Sequence, residues 1–597
     1  MEDASRAGNA SEGKPKRDDA KRRRLRRPWV LWALLGALLM WLAMEPLAWW
    51  PLGWVALVPW SLLALSSSSP SRREYRWLWL AGSLFWLVAL YGLCFAHPAM
   101  FLGWFTLSVY LGVYAPLFVG LVRVAHRNRV PAVLAIPIVW VGLELIRGYA
   151  FTGFSACMLG HTQADVAILI QVTDLFGSYA VSFVVAAVAA AIAIGLRRYL
   201  PQRWQLPVEQ PPATPEVAAP KSAADSAFAG MAFAAVLLLA TLGYGAWRLG
   251  QPEATAKAES LGVTIALIQR NEAVEYIMPS ERGAEIFASY LRGSQEAMAA
   301  AGPQRVDLVV WPESMFSRGM PWMDLGDQPV APAEAGLSQE EFLNRVQVNA
   351  EVWQQNADEV QRRLVLSGSQ SSPPSLLVGS GAMRFEQRPQ QYSGAVFVGS
   401  RGRVDDWYGK QHLVMFGEYI PFMEWFPSLY TWLPLPRVTP GAEAKVFPLA
   451  DTQIAPNICF ETAVECATID QVRRLAATGT PPDMIINLTN DAWFGGSPVL
   501  DHHRRCSQFA AVSTRRPLLM ASNTGPTIWV DGSGRLVEQL PKSSDGHILA
   551  QPTRDGRWGL YQTCGDWPVR ALGAIVVVLA AVGFVQRRKV SQRSSSS

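Results

Sequence analysis

Cys459 closes the run Ala455-Pro456-Asn457-Ile458-Cys459-Phe460-Glu461, at the end of a strand-like stretch. A thiol attacks only as its thiolate, so a reactive cysteine needs a base or a cation beside it. Two other motifs offer such groups. Val310-Trp311-Pro312-Glu313-Ser314 ends an apolar strand on a proline, which stops the ladder and leaves Glu313 at a rim. A carboxylate there could take the thiol proton. Trp407-Tyr408-Gly409-Lys410-Gln411-His412 carries an ammonium that could stabilise a tetrahedral oxyanion or favour the thiolate. Each residue alone has a plain alternative: a buried cysteine, a solvated turn glutamate, a surface lysine. Together they supply nucleophile, base and cation for acyl transfer through a thioester. Glu461 would share a face with Cys459 if the strand continued, Glu418 could pair with Lys410, and His412 could equally be a packed histidine.

Elements that deliver these residues are readable over residues 250–566. Strand-like runs recur at 263–268, 308–311, 364–366, 392–398, 454–460, 484–488 and 518–522. Helical stretches are expected over 280–300, 339–363 and 502–514. Alternation of the two marks a layered α/β domain. Segment 317–338 is rich in Pro and Gly and reads as an inserted flexible loop.

The rest of the chain is of another kind. Of 597 residues half are hydrophobic and 17% charged, with 24 Trp. That balance is low in charge for a water-soluble protein, and Trp suits membrane interfaces. Apolar runs occupy about 29–45, 50–66, 77–95, 99–122, 130–146, 178–196, 228–247 and 568–585, several near the roughly 20 residues that a spanning helix needs. A basic, disordered tail is expected over 1–27, a cytoplasmic linker over 205–226 and a second tail over 588–597. Basic residues cluster at 14–27, 72–76, 123–129, 197–203 and 587–589, while loops 46–50 and 96–98 have none. This alternation predicts eight spans with both termini in the cytoplasm: seven within 28–249 and the last at 567–587. It places 250–566 on the opposite side. The basic clusters abut apolar runs, so membrane flanks rather than nucleic-acid contacts are expected. The six cysteines show no CxxC pair and no zinc spacing, so no metal or cofactor is expected. Cys459 and Cys466 are close enough in sequence to suggest a disulfide in an oxidising compartment.

The motifs and their order resemble the nitrilase superfamily and, within it, the apolipoprotein N-acyltransferase family. The carrying residues are Trp311-Pro312-Glu313, the stretch from Tyr408 to Pro421, Cys459-Phe460-Glu461 and Asn490-Asp491-Ala492-Trp493-Phe494-Gly495. Glu144-Leu145-x-Arg147-Gly148 followed by Thr152-Gly153-Phe154 resembles a membrane segment of the same family. The resemblance covers about residues 30 to 585. It implies a multi-pass helical membrane domain with an extracytoplasmic αββα sandwich, a Glu313-Lys410-Cys459 triad, and support from Glu418, Glu461 and Phe460. Trp311, His412, Asn490, Asp491, Trp493 and Phe494 become candidates for substrate binding. The implied reaction moves the sn-1 acyl chain of a phosphatidylethanolamine-like lipid to Cys459. The chain then passes to the α-amino group of a lipoprotein's diacylglyceryl-cysteine, in a monomer of the bacterial inner membrane. Phe460 stands where the family commonly has tyrosine, Ala510-Ala511-Val512-Ser513 where it has Arg-Ala-x-Glu, and Ser155-Ala156 where Pro-Trp is common. Competing readings are a tethered amidase that uses water as acceptor, and an idle lipid- or lipoprotein-binding protein. A transporter is disfavoured by the few charges in the spans. The aromatic stretch 423–427 reads either as a membrane-dipping arm or as core.

Overall fold

The computed structural model describes residues 15–66, 70–98, 100–151, 153–197, 199, 223–254, 258–274, 280–316, 318, 320–415, 417–419 and 437–595. The expected tail over 1–14, most of the linker over 205–222 and the aromatic stretch 423–427 lie outside these residues.

Two sheets stack in the domain that follows residue 250. One contains β1 (Ile265–Gln269), β2 (Leu308–Trp311), β3 (Trp322–Leu325), β4 (Ser375–Phe385), β5 (Pro389–Val398), β6 (Val404–Gly409) and β13 (Gly546–Ala550). Its order is β13-β1-β2-β4-β5-β6, with β3 also paired to β4. The second holds β7 (Phe447–Leu449), β8 (Thr452–Ile458), β9 (Met484–Thr489), β10 (Leu518–Ser522), β11 (Ile528–Val530) and β12 (Leu536–Gln539) in the order β12-β11-β10-β9-β8-β7. Alternate residues of each strand face opposite ways. Leu308 and Val310 therefore meet Ile486, Leu488 and Ile458 across the sheet interface. Val309 and Trp311 face outward to helices Ser280–Ala301 and Gln339–Ser367. On the far face of the second sheet, Ala455, Ile485 and Met520 pack on Val472, Leu475 and Ala511 of helices Glu465–Ala477 and Pro498–Thr514. The result is a four-layer αββα sandwich.

The central strands β1, β2 and β4 are parallel, as are β8, β9 and β10. β6 is antiparallel to β5, itself antiparallel to β4, so β6 runs with β2. The C-terminal ends of β2, β6, β8 and β9 carry Glu313, Lys410, Cys459 and Asn490 on the loops that follow. Ligands gather at such carboxyl ends in α/β sheets.

Some local expectations give way. Leu364-Val365-Leu366, read as a strand, is the last turn of helix Gln339–Ser367. Leu364 is buried while Leu366 is exposed, and three apolar residues cannot distinguish the two periods. Segment 317–338 contains β3, paired in parallel with β4, so it is not wholly loop. The basic tail turns helical at Pro15, where Lys, Arg and Ala favour extension of the apolar helix that ends at Ala43. The following helix starts at Ala223, inside the range expected for the linker.

Among the described residues, five helices are long and apolar enough to cross a membrane: Met100–Arg127, Ala132–Tyr149, Ser178–Leu196, Phe228–Leu249 and Trp567–Lys589. Leu102, Val236, Leu239 and Val577 expose large apolar side chains on them, as lipid-facing surfaces do. Three of the eight expected runs fall short of that measure. Trp29–Ala43 and Trp50–Ala64 are shorter apolar helices, and 50–64 is broken into three pieces with Pro51 and Pro59 at two of their starts. Arg72–Ala89 opens on a charged turn held by a Ser71–Glu74 capping box. Small residues set helix contacts here: a Cβ at Gly142 would lie 2.6 Å from Val576 and 2.7 Å from the Leu572 carbonyl.

Helix Pro498–Thr514 joins the two regions. One face meets the sheet, and Cys506, Phe509 and Val512 enter the hydrophobic core of the helical bundle. Buried charge reinforces the seam. Arg504 and Arg505 reach Glu45 at 3.2 and 2.9 Å. Asp174, fully buried, is shared by Arg515 at 2.5 Å and Arg248 at 2.5 Å, with Tyr244 donating at 2.7 Å. Such a network gives little net stability over apolar packing, but removing one partner strands the others in a dry interior. Asp174→Ala is therefore expected to destabilise by roughly 3–5 kcal/mol. A lowered unfolding midpoint in detergent would register this, and an unchanged midpoint would mean that both arginines find other partners.

Candidate active site

Cys459 sits where β8 ends and a tight 3-10 turn, Cys459–Ala463, begins. Its φ is 51°, a left-handed conformation uncommon for a residue with a Cβ. The Cys459 carbonyl accepts from Asn487 Nδ2 and from His503 Nε2, each at 3.0 Å. Burial pushes the thiol well above its ordinary range and the nearby Glu313 charge adds to this, while Lys410 pulls it down. The resting group is thus a neutral thiol. Lys410 favours the thiolate, but burial and the Glu313 charge outweigh it.

Glu313 is anchored on both oxygens. Oε1 accepts from Ser393 Oγ at 2.9 Å and faces Lys410 Nζ at 3.4 Å; Oε2 accepts from the Asn490 N–H at 3.3 Å. Its turn lies against β4 at Gly379, where a Cβ would come within 2.4 Å of the Glu313 Cα. Lys410 is buried and contacts Glu418 Oε1 at 2.7 Å, while the other Glu418 oxygen accepts from the Val414 N–H at 2.7 Å. Burial opposes the ammonium, but the Glu313 and Glu418 carboxylates outweigh it and hold Lys410 well above its usual range. One cation therefore serves two carboxylates beside the thiol.

Glu461 does not line this cluster through strand periodicity, because the strand stops at Ile458. Its Oε1 accepts from the Gln411 and His412 N–H groups at 2.7 and 3.1 Å and from Tyr408 Oη at 2.9 Å. Its Oε2 accepts from the Ile458 N–H at 2.7 Å. Glu461 thus ties the lysine loop to the cysteine turn. Burial raises its carboxyl above the usual range against those donors.

The remaining candidates separate. Trp311 points away from the cluster and donates from Nε1 to Ser294 Oγ at 2.8 Å, among Phe287, Tyr290 and Phe316. It is an outer-layer core residue, as its alternation with Val310 requires. His412 gives its N–H to Glu461, and burial lowers its imidazole. Asn490 joins the cluster through its N–H, and its Oδ1 accepts from Asn523 Nδ2 at 3.0 Å. Asp491 is buried and accepts from Thr489 Oγ1 at 2.9 Å and Ser522 Oγ at 3.3 Å. Trp493 and Phe494 are half-buried in the turn Asp491–Phe494, whose end at Gly495 lies against Phe95 of the helical region. Phe460 packs on the core of the helical bundle. All six cysteines are free, Cys459 and Cys466 included, since the turn carries Cys466 onto helix Glu465–Ala477. Ser393, Asn487, Thr489 and His503 were not singled out from sequence. Asn487 carried a signal, being a polar residue inside the apolar run 484–488, where burial demands a partner.

A small pocket lies within the helical bundle, walled by Trp60, Trp86, Trp140, Leu111, Glu144 and Arg147 among others. The Arg147 guanidinium stacks over Trp86 at 4.9 Å. Among the described residues, no group of three or more His, Cys, Asp or Glu side chains is gathered as a metal site.

Comparison with known proteins gives matches over both regions. Residues 36–191 match the apolipoprotein N-acyltransferase N-terminal domain, and residues 264–557 match the carbon-nitrogen hydrolase family. The chain is 41% identical over 584 residues to an apolipoprotein N-acyltransferase of Rhodopirellula baltica, covering 93% of this chain and 98% of that one. It is 28% identical to one of Geobacter metallireducens, covering 90% and 92%. Among solved structures, Saccharomyces cerevisiae Nit3 of the nitrilase superfamily aligns at 15% identity and TM-score 0.31, covering 48% of this chain and 89% of that one. An amidase from Nesterenkonia sp. aligns at 14% identity and TM-score 0.33, covering 52% and 96%.

Proposed function

The chain belongs to the apolipoprotein N-acyltransferase family, and from that premise we propose that Cys459 carries an acyl group from a phospholipid to the N-terminal amine of a lipoprotein. Glu313 takes the thiol proton as the sulfur attacks the sn-1 ester carbonyl of a phosphatidylethanolamine-like donor. The carbonyl oxygen becomes an oxyanion, which the Lys410 ammonium stabilises with Glu418 fixing the lysine. Collapse breaks the ester C–O bond. The lysophospholipid leaves with the proton from Glu313, and the acyl chain remains on sulfur. The free α-amino group of a diacylglyceryl-cysteine then attacks the thioester, gives its proton to Glu313 and departs as an amide. The thiolate recovers that proton, and the cycle closes.

One observation carries this reading over hydrolysis. The residue beside the nucleophile, Phe460, is partly buried against the hydrophobic cluster that the helical bundle shares with helix Pro498–Thr514. A thioester formed there lies at the junction between the sandwich and the helices, where lipid-anchored donor and acceptor can both arrive. Residues 28–249 and 567–587 form the membrane domain on this reading, and 250–566 is the catalytic domain on the extracytoplasmic side, with both termini cytoplasmic.

Intact-mass measurement after incubation with phosphatidylethanolamine tests the proposal. An acyl adduct is expected on Cys459, discharged by a diacylated lipopeptide with a free amine and persistent in buffer. Rapid discharge to water without the peptide would favour the amidase reading.

A further inference from the structure

The nucleophile turn is held by a group that no part of the acid-base chemistry requires. His503 lies on helix Pro498–Thr514 and is buried. Its Nε2 is 3.0 Å from the Cys459 carbonyl and 2.7 Å from Thr462 Oγ1, and its Nδ1 is 3.6 Å from Asp491 Oδ1. A carbonyl oxygen can only accept, so Nε2 carries the proton in this contact. Asp491 stands at the opposite ring nitrogen and is itself fixed by the Thr489 and Ser522 hydroxyls. His503 thus reaches the Cys459 carbonyl and the Thr462 hydroxyl from the helix, with Asp491 on its other side. It lies apart from Glu313 and Lys410, which approach from the other sheet.

The His503 contact answers a need set by the backbone. With φ at 51°, Cys459 is held in a conformation that relaxes unless its flanking peptide groups are pinned. Asn487 pins the carbonyl from β9, and His503 pins it from the helix. We propose that His503 is a positioning residue that fixes the Cys459 carbonyl and so aims the thiol at Glu313 and Lys410. The inference rests on Cys459 being the nucleophile.

The test compares His503→Gln with His503→Leu in the full-length protein in detergent with phosphatidylethanolamine. Glutamine can place an amide N–H where Nε2 stands, whereas leucine fills the space and donates nothing. His503→Leu is expected to form the Cys459 adduct about 10²-fold more slowly, the scale of loss for a slightly misplaced reacting group. The KM for lipid should change little, and His503→Gln should recover most of the rate. Should leucine unfold the protein, His503→Asn takes its place, since its shorter amide falls short of the carbonyl and should be slow where glutamine is fast. A residue that only packs would lower the melting temperature without this split between donors. Adduct formation at the unaltered rate in His503→Leu, or a glutamine variant as slow as leucine or asparagine, overturns the role of His503 alone. Absence of any Cys459 adduct in the unaltered protein overturns the nucleophile assignment and this role with it.

Discussion

Cys459→Ser is expected to abolish N-acylation, with a fall in turnover on the order of 10⁴-fold or more. The reason lies in what surrounds the sulfur. Burial and the Glu313 charge already push the thiol well above its ordinary range, so the resting site holds a proton that only a base can remove. Glu313, set by Ser393 and the Asn490 N–H, is the base at hand. A carboxylate can assist a thiol in this setting, but a serine hydroxyl is so much less acidic that the same base leaves it a weak nucleophile. The exchange changes one atom, and the turn is held by backbone contacts to the Cys459 carbonyl, so the melting temperature should stay close to that of the unaltered protein. N-acylation of a diacylated lipopeptide, followed by mass spectrometry, reads the result. Retained transfer in either Cys459→Ser or Cys459→Ala would sink the covalent mechanism.

Glu313 and Cys459 were legible because each follows an apolar run that ends abruptly, whereas Lys410 stood out only by its motif, since Val404–Gly409 carries two aspartates. Strand ends are visible in sequence even where pairing is not, and the parallel strands bring several such ends to one edge. What sequence could not give was direction after the strand stopped. Glu461 was placed beside Cys459 by period-two reasoning, but the strand ends one residue before the cysteine, and the 3-10 turn sends Glu461 to the lysine loop instead. Trp311 illustrates the opposite error. Its alternation with Val310 already placed it on the outer face, and a motif match drew attention away from that. The longest strand, β4, was missed because Gly379-Ser380-Gly381 interrupts its apolar pattern. Gly379 is where the chain must pass close to the Glu313 turn, so the break in pattern reflects the site itself. His503 lay hidden for another reason: one of two adjacent histidines in a helix says nothing until the fold shows that its ring meets a carbonyl 44 residues away.

Lys410→Met is expected to lose turnover and stability together, through separate causes that a second substitution can divide. The ammonium is buried between Glu418 at 2.7 Å and Glu313 at 3.4 Å. Removing it takes away the charge that would meet the oxyanion, which costs about 10²–10³-fold for a single preorganised donor. It also leaves two carboxylates close together without their cation. Like charges in such a place cannot both stay ionised, so a proton is taken up and Glu313 is impaired as a base. The stranded pair should lower stability by roughly 3–5 kcal/mol. Adding Glu418→Gln removes one of the two charges while keeping an acceptor for the Val414 N–H, and should restore much of the stability. Turnover should not return, because neither methionine nor glutamine offers a positive charge to the tetrahedral intermediate. Thermal melts and lipopeptide acylation on the two single variants and the double variant close the cycle. A folded Lys410→Met protein with near-normal transfer would remove the lysine from the chemistry. Recovery of turnover in the double variant would mean that Lys410 acts only by neutralising Glu418, and that the oxyanion is stabilised by other donors.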